Sequence, residues 1–414
     1  MGKSNIISFD VFNNILTVVK FIYFKREKIK LTNEIISRDL HISASSISEY
    51  RKNTRKVTDD FVDSLVSQYT HYNFDCTDDT TMILKKEYDR IFDLFFQAQI
   101  TTAYELASNI IGNYCYLFSC GINYYLVLYA FVKFYDNDKR FIEISDDYYL
   151  NGLELTNEQK MLYQSLKAFY INMIHNGLAS NRYVLTPTEE YSFTPTLENA
   201  SIFAFYQLLE KQCLGMSRSY NSVVYPSKVF FRLGYINFCF MAKCNELYIS
   251  IIEMNFLKIK HYLIELSRFK NQIKWDITKK FYFCLLSFFK LLYFKQFGFD
   301  ISVSDIITRL FKDEDYRDFE ENYVNDFNNL DITKQDSICL NYLLGVDSYQ
   351  YFIDQLNTLS VNEILFDNRL KKGCKVLLLR IKYDNECNDK VKEDIIGSVE
   401  RLLRLSMETN TMLF

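Results

Sequence analysis

The sequence predicts an all-α protein, and three observations predict it. Among 414 residues there are only 11 glycines and 3 prolines, too few to punctuate β-hairpins or βα loops. Apolar residues recur at helical spacing in one segment after another. Those segments come in pairs with short connections, as stacked helices do. With 49% hydrophobic and 24% charged residues, the chain has apolar surface to bury and no composition-wide tendency to disorder. Its length exceeds what one hydrophobic core serves, which implies at least two domains or a long repeat array. The divisions expected are an N-terminal domain over 1–70, a linker over 71–82 and a helical-repeat domain over 83–414.

The first helix, roughly Phe9–Phe24, is unusually apolar ("FNNILTVVKFIYFKREK"). Its extra Phe and Tyr fit docking against the larger domain or a second subunit. Thr32 then caps a short helix, Asn33–Leu40, with Glu34 in the first turn, where the helix dipole favours a carboxylate. Its apolar face is Ile35, Ile36 and Leu40. A tight turn, His41–Ser43, points Ile42 inward, and Ser43 caps a second helix from Ala44 to about Lys52. Ile47 and Tyr50, three apart, face the core, which leaves Ser45, Ser48, Glu49 and Lys52 toward solvent. Asn53 ends this helix in a left-handed conformation, and a closing helix, Thr58–Tyr69, follows.

Charge singles out the same region. Residues 1–56 hold eleven Lys or Arg against five Asp or Glu, an excess of six positive charges, and the remainder carries ten negative charges in excess to give the net −4. A basic head on an acidic body is the footprint of polyanion binding, and by itself serves a membrane surface as well as DNA. A helix entering the DNA major groove needs small hydrogen-bonding side chains at its N-terminal end, because bulky ones hold the backbone away from the base edges. Serines serve that need, and Lys52, Arg55 and Lys56 lie where they would neutralise phosphates. The candidate DNA contacts are Thr32, Asn33, Ala44, Ser45, Ser48, Glu49, Lys52, Arg55 and Lys56.

Leu31-Thr32, Glu34, Ile36-Ser37, Leu40-His41-Ile42-Ser43, Ile47-Ser48, Asn53 and Arg55 together resemble the helix-turn-helix of the lambda-repressor and Cro type. Two departures stand out. His41 occupies the turn position where Gly is usual, and Arg51 replaces a common Glu. A positive φ at His41 is strained but tolerable, His being enriched there among non-glycine residues.

Beyond the polar stretch "HYNFDCTDDTT", residues 71–81, helical patterns pair up: Leu84–Gln97 with Thr102–Ile111, Lys160–His175, Val229–Lys243 with Glu246–Phe256, Lys279–Phe297 with Val303–Phe311, Ile338–Val346 with Tyr349–Leu359, and Val391–Met407. Residues 91–110 come nearest the tetratricopeptide pattern, with Ala98, Ala103 and Ala107 at close-packing points. Tyr114–Val132 is nineteen residues without a charge. Gly121, Asn123 and five tyrosines make it a better buried helix pair than a membrane span. The ten cysteines form no C-x-x-C pair and suit a reducing cytoplasm, and no N-terminal signal peptide is visible.

A lambda-repressor-type head on a degenerate tetratricopeptide-like body resembles the peptide-sensing Rap, Rgg, NprR, PlcR and PrgX regulators and the phage arbitrium receptors. That resemblance implies a cytoplasmic transcription regulator that binds double-stranded DNA at a near-palindromic operator as a homodimer, with a short signalling peptide in the concave face of the repeats. An extended peptide presents backbone N–H and C=O groups that a side-chain amide meets with its own donor and acceptor. Asn172, Asn237 and Asn341, each in an apolar or aromatic setting, are the first candidates for peptide contact, with Arg232, Tyr235 and Tyr220 as weaker ones. A second reading makes the chain a helical-repeat module for a protein partner, with a head that only docks or dimerises.

No enzyme is expected. The four histidines show no metal-ligand spacing, and neither a Gly-rich phosphate loop nor a G-x-S-x-G elbow occurs. No metal or cofactor is expected either. The C-terminal segment, residues 395–414, reads as an amphipathic helix that caps the repeats or pairs two subunits.

Overall fold

Helix is the dominant element wherever the chain is described. The computed structural model describes residues 5–75, 77–138, 141, 154–170, 196, 199–214, 224–252, 255–269 and 272–273. Among the described residues there are twelve α-helices, one 3₁₀ turn and a single two-stranded ribbon. They divide into two compact units, one reaching to Tyr206 and the other beginning at Gln207.

The first unit opens with α1 (Phe9–Glu27), which buries Phe12, Ile15 and Val19 completely. Three short helices surround its buried face: α2 (Asn33–Asp39), α3 (Ala44–Arg51) and α4 (Asp59–Tyr69). Ile36, Ile47, Val62, Leu65 and Val66 are fully enclosed among them. Rings lock the packing: Phe12 meets Tyr50 edge-on at 5.9 Å, and Tyr50 lies 5.1 Å from Phe61. Burying one Ile or Leu side chain stabilises by about 1.5–3 kcal/mol, and α2 and α3, too short to persist alone, each contribute one such fully buried residue, Ile36 and Ile47.

A two-residue ribbon was not expected. Ile6–Ile7 pairs antiparallel with Val57–Thr58, and Asp59 donates its N–H to the Asn5 carbonyl at 3.0 Å. Two residues are too few to show strand alternation in a sequence. The ribbon ties the chain start to the segment that leaves α3.

Next come α5 (Asp78–Phe96), α6 (Ile100–Ile111), the 3₁₀ turn Tyr114–Phe118, α7 (Ile122–Tyr135), α8 (Asn157–Ala168) and α9 (Ala200–Leu214), whose residues up to Tyr206 belong to this unit. Phe95 is the hub of their core, with Phe92, Phe96, Phe131, Phe169 and Phe205 all within 6.4 Å of its ring. α8 starts on a full capping box, in which Thr156 and Gln159 satisfy each other's backbone N–H. Residues 71–82 are tied down within this unit: Asp75 forms a parallel bridge to Ser119, and α5 begins at Asp78.

The uncharged stretch Tyr114–Val132 splits as its Gly121 and Asn123 suggest. The turn and α7 meet at Gly121, where a Cβ would sit 2.8 Å from Leu84 Cδ2. A larger residue there would force the Leu84 side chain to move. No helix among the described residues is long and apolar enough to cross a membrane.

α1 also packs on α7. The Asn14 side-chain amide is fully buried at this junction and donates to Asn123 Oδ1 at 2.6 Å and to the Glu154 carbonyl at 3.3 Å. Its own Oδ1 accepts the Glu154 N–H at 2.8 Å. Asn123 reaches back to Asp10 at 3.4 Å. The apolar first helix therefore docks within its own chain.

The second unit contains α10 (Val224–Arg232), α11 (Ile236–Ile252) and α12 (Phe256–Phe269), each packed on the next. The helix break expected near residues 244–245 is absent, because Cys244 and Asn245 are buried inside α11. The chain turns instead at Gly234, whose φ of +75° suits glycine. Ala98 also departs from expectation. With φ +65° it forms the turn between α5 and α6, whereas Ala103 and Ala107 are fully buried on α6. The helices expected over 279–297, 303–311, 338–346, 349–359, 391–407 and 395–414 lie outside the described residues, as does Tyr220.

Candidate nucleic-acid interface

Short-range hydrogen bonds shape the ends and the turn of the α2–α3 pair. Thr32, extended at φ −89° and ψ 166°, accepts the Ile35 N–H at 3.4 Å and begins α2. Its hydroxyl also bonds to Glu34, which lowers that carboxyl's pKa. α2 ends with His41 at φ +53°, and the Ile42 N–H returns to the Ser37 carbonyl at 3.1 Å. Ser37 Oγ in turn donates to the Ile42 carbonyl at 2.5 Å. A small hydroxyl at 37 thus clasps the turn from inside, a role that a larger side chain would obstruct.

The serines of α3 divide their work. Ser43 caps the helix by accepting the Ser46 N–H at 3.1 Å. Ser46 is buried and accepts a bond from Arg55 Nη1 at 2.7 Å. Ser45 is exposed, Ser48 half-buried, and both stand on the outer face with exposed Glu49 and Lys52. Ala44 is half-buried at the helix start. Beyond the helix, Asn53 is left-handed at φ +56°, and the Thr54 N–H reaches the Glu49 carbonyl at 3.0 Å while the Asn53 N–H reaches Tyr50 at 3.2 Å. These two bonds satisfy the last carbonyls of the helix.

Arg55 is held on three sides. Besides Ser46, its guanidinium lies 3.7 Å from Glu49 and 5.4 Å from the centre of the Tyr50 ring. Its side chain remains 53% exposed, so the outer part of the fork faces solvent. Lys52 and Lys56 are exposed beside it. Ser46 was not a sequence candidate, although its place three residues after the cap put it on the inner face with Ile47.

Two further groups join the site from helices distant in sequence. Lys20 on α1 donates to the Asn33 carboxamide at 3.4 Å. Burial first, and the charge of Arg51 second, lower its pKa against the opposing pull of Glu34. Asp39 is bonded by Arg38 at 2.9 Å and by the Tyr69 hydroxyl at 3.1 Å, and these bonds lower its pKa. That hydroxyl ties α2 to α4. Neither contact could be read from spacing, since each spans more than ten residues.

The peptide candidates fall elsewhere. Arg232 is exposed at the end of α10, Tyr235 is half-buried in the connection, and Asn237 is buried at the start of α11. Asn172 and Asn341 lie outside the described residues. Among the described residues no group of three or more His, Cys, Asp or Glu could hold a metal ion. No family model, no curated protein and no solved structure matches the chain.

Proposed function

We propose that this protein is a DNA-binding transcription regulator, with α2 and α3 as a helix-turn-helix of the lambda-repressor type and α3 as its reading helix. The observation that carries this reading is the division of α3. Ile47 and Ser46 are buried against the head, whereas Ser45, Ser48, Glu49 and Lys52 form an outer face with small groups first and a cation last. Ser45 and Glu49 would meet base edges, and Lys52, Lys56 and the pre-positioned Arg55 would meet phosphates. The remaining helices form a tetratricopeptide-like body that binds a short signalling peptide and pairs two copies. Half-sites would then lie about one helical turn apart, or a multiple of it.

Fluorescence anisotropy with DNA from upstream of its own coding region and with scrambled DNA, at two salt concentrations, tests this. Specific binding that survives added salt supports a regulator. Weak binding to both, lost with salt, sinks it.

Two observations favour a second reading. Arg55 already has internal partners, and α1 is bonded to α7 through Asn14, as in a head built to dock. Recovery of one stoichiometric protein partner and no DNA would select that reading.

A further inference from the structure

Within the second unit, α10, α11 and α12 line an open cavity of about 380 Å³. That volume lies in the range of small-ligand sites. Its polar side is built from three helices. Ser227 on α10 donates to Glu246 Oε1 on α11 at 2.5 Å, and Lys243 on α11 donates to Glu265 Oε2 on α12 at 2.5 Å. His261, one turn before Glu265, brings Nε2 within 3.5 Å of the same carboxylate. Its apolar side is Phe231 and Phe269, edge to face at 6.0 Å.

Glu246 is the unusual member. It is only 4% exposed, and burial raises its pKa despite the hydroxyls of Ser227 and Tyr262. The cation that counters this is Lys243, whose ammonium is seated on Glu265. A buried carboxylate is costly without full ionic compensation. A core position of this kind would be better filled by an apolar residue, so a carboxyl opening onto a cavity points to a cationic visitor. Phe231 is 56% exposed at the rim, a large apolar ring left facing solvent beside the charged wall. Lys228 stands at the same rim and supplies a cation for a terminal carboxylate.

We propose that this cavity binds the free amino end of an apolar α-amino compound, with its ammonium on the Glu246 carboxyl and its side chain against Phe231 and Phe269. A free amino acid and the first residue of a peptide share that chemistry. The inference supplies the ligand half of the proposed function, and rests on that reading only for what binding does to DNA affinity.

Calorimetry on the full chain without DNA tests the site, using L-phenylalanine, L-phenylalanyl-L-leucinamide and N-acetyl-L-phenylalaninamide as probes. At least one free amine is expected to bind tenfold or more tightly than the acetylated probe. The amino acid binding best identifies a free amino acid site; the dipeptide amide binding best identifies a peptide terminus. Glu246→Gln is expected to weaken the better probe at least tenfold. Phe231→Ala, at an exposed position, is expected to weaken it severalfold with the helical circular dichroism unchanged, so the test stands even if the Glu246 variant fails to fold. Equal affinity for the acetylated probe, no binding of any probe at millimolar concentration, or full affinity in Phe231→Ala would overturn the proposal. Binding that leaves DNA anisotropy untouched would keep the site and remove its control of DNA.

Discussion

The α2–α3 pair and the α1–α7 junction are both buried joints between helices, yet they are written differently in the chain. The first is specified by neighbours: Thr32 with Ile35, Ser37 with Ile42, Ser43 with Ser46, and Glu49 with Thr54. The second depends on Asn14 meeting Asn123 and Glu154, 109 and 140 residues away. Short-range joints show in composition and spacing, because a cap or a clasp needs a particular residue at a fixed offset. Long-range joints leave no such periodic trace.

The largest effects should compare these joints directly. Ile47→Ala opens a cavity in the head and is expected to cost about 2–5 kcal/mol in urea unfolding. Asn14→Ala removes the amide that satisfies Asn123 and the Glu154 backbone, at about 1–3 kcal/mol. Should Asn14→Ala cost less than a single cap such as Ser43→Ala, expected at about 1 kcal/mol, the junction would be a contact of no structural weight. A double-mutant cycle with Asn123→Ala should show coupling above about 0.5 kcal/mol, as bonded neighbours do.

On the DNA reading, Ser45→Ala or Glu49→Ala should change discrimination between sites by about 1–3 kcal/mol. Lys52→Ala should weaken all DNA alike and lower the salt slope by about 1. A change confined to one sequence in Lys52→Ala would reverse the roles assigned along α3.

Glu246 gives a test by pH. Its folded pKa is raised, so folding disfavours its ionised form, and stability is lost as pH climbs from the ordinary carboxylate value through the raised one. Lys243, Glu265, Ser227 and Tyr262 are the neighbours that modulate it. Glu246→Gln should flatten that fall, with little difference from the native chain at acidic pH. An identical pH profile in both proteins would place the dependence elsewhere.

The smallest effect is expected at His41. His41→Gly relieves a left-handed strain of about 1–2 kcal/mol, partly offset by the greater backbone freedom of glycine in the unfolded chain. Any net gain should stay below about 1 kcal/mol, visible as a slightly higher Tm.

What the sequence made legible follows the same division. The helical class, the edges of α2 and α3, and the positive φ at His41 and Asn53 all came from local rules. Ser46 serving Arg55 did not, because it depends on how the bend after α3 folds back, and Lys20 reaching Asn33 and Tyr69 holding Asp39 did not, because they depend on how helices pack. The same limit explains α11. Its buried Cys244, Asn245 and Glu246 resemble a break between two amphipathic helices, but a helix enclosed on most sides loses its one-sided pattern. The cavity beside it was invisible for the same reason: its polar members come from three helices, at spacings that repeat no motif.

The bond between Asn14 and Glu154 also sets a schedule for synthesis. The two residues are 140 positions apart, so at about 5–20 residues per second the ribosome needs roughly 7–28 s to supply the partner after α1 has emerged. During that interval the Asn14 face of α1 stays wet and apolar side chains around it stay open to chaperones. Stalling translation before residue 154, and again well beyond it, should therefore yield nascent chains in which the α1 face that carries Asn14 is more open to protease in the first case than in the second.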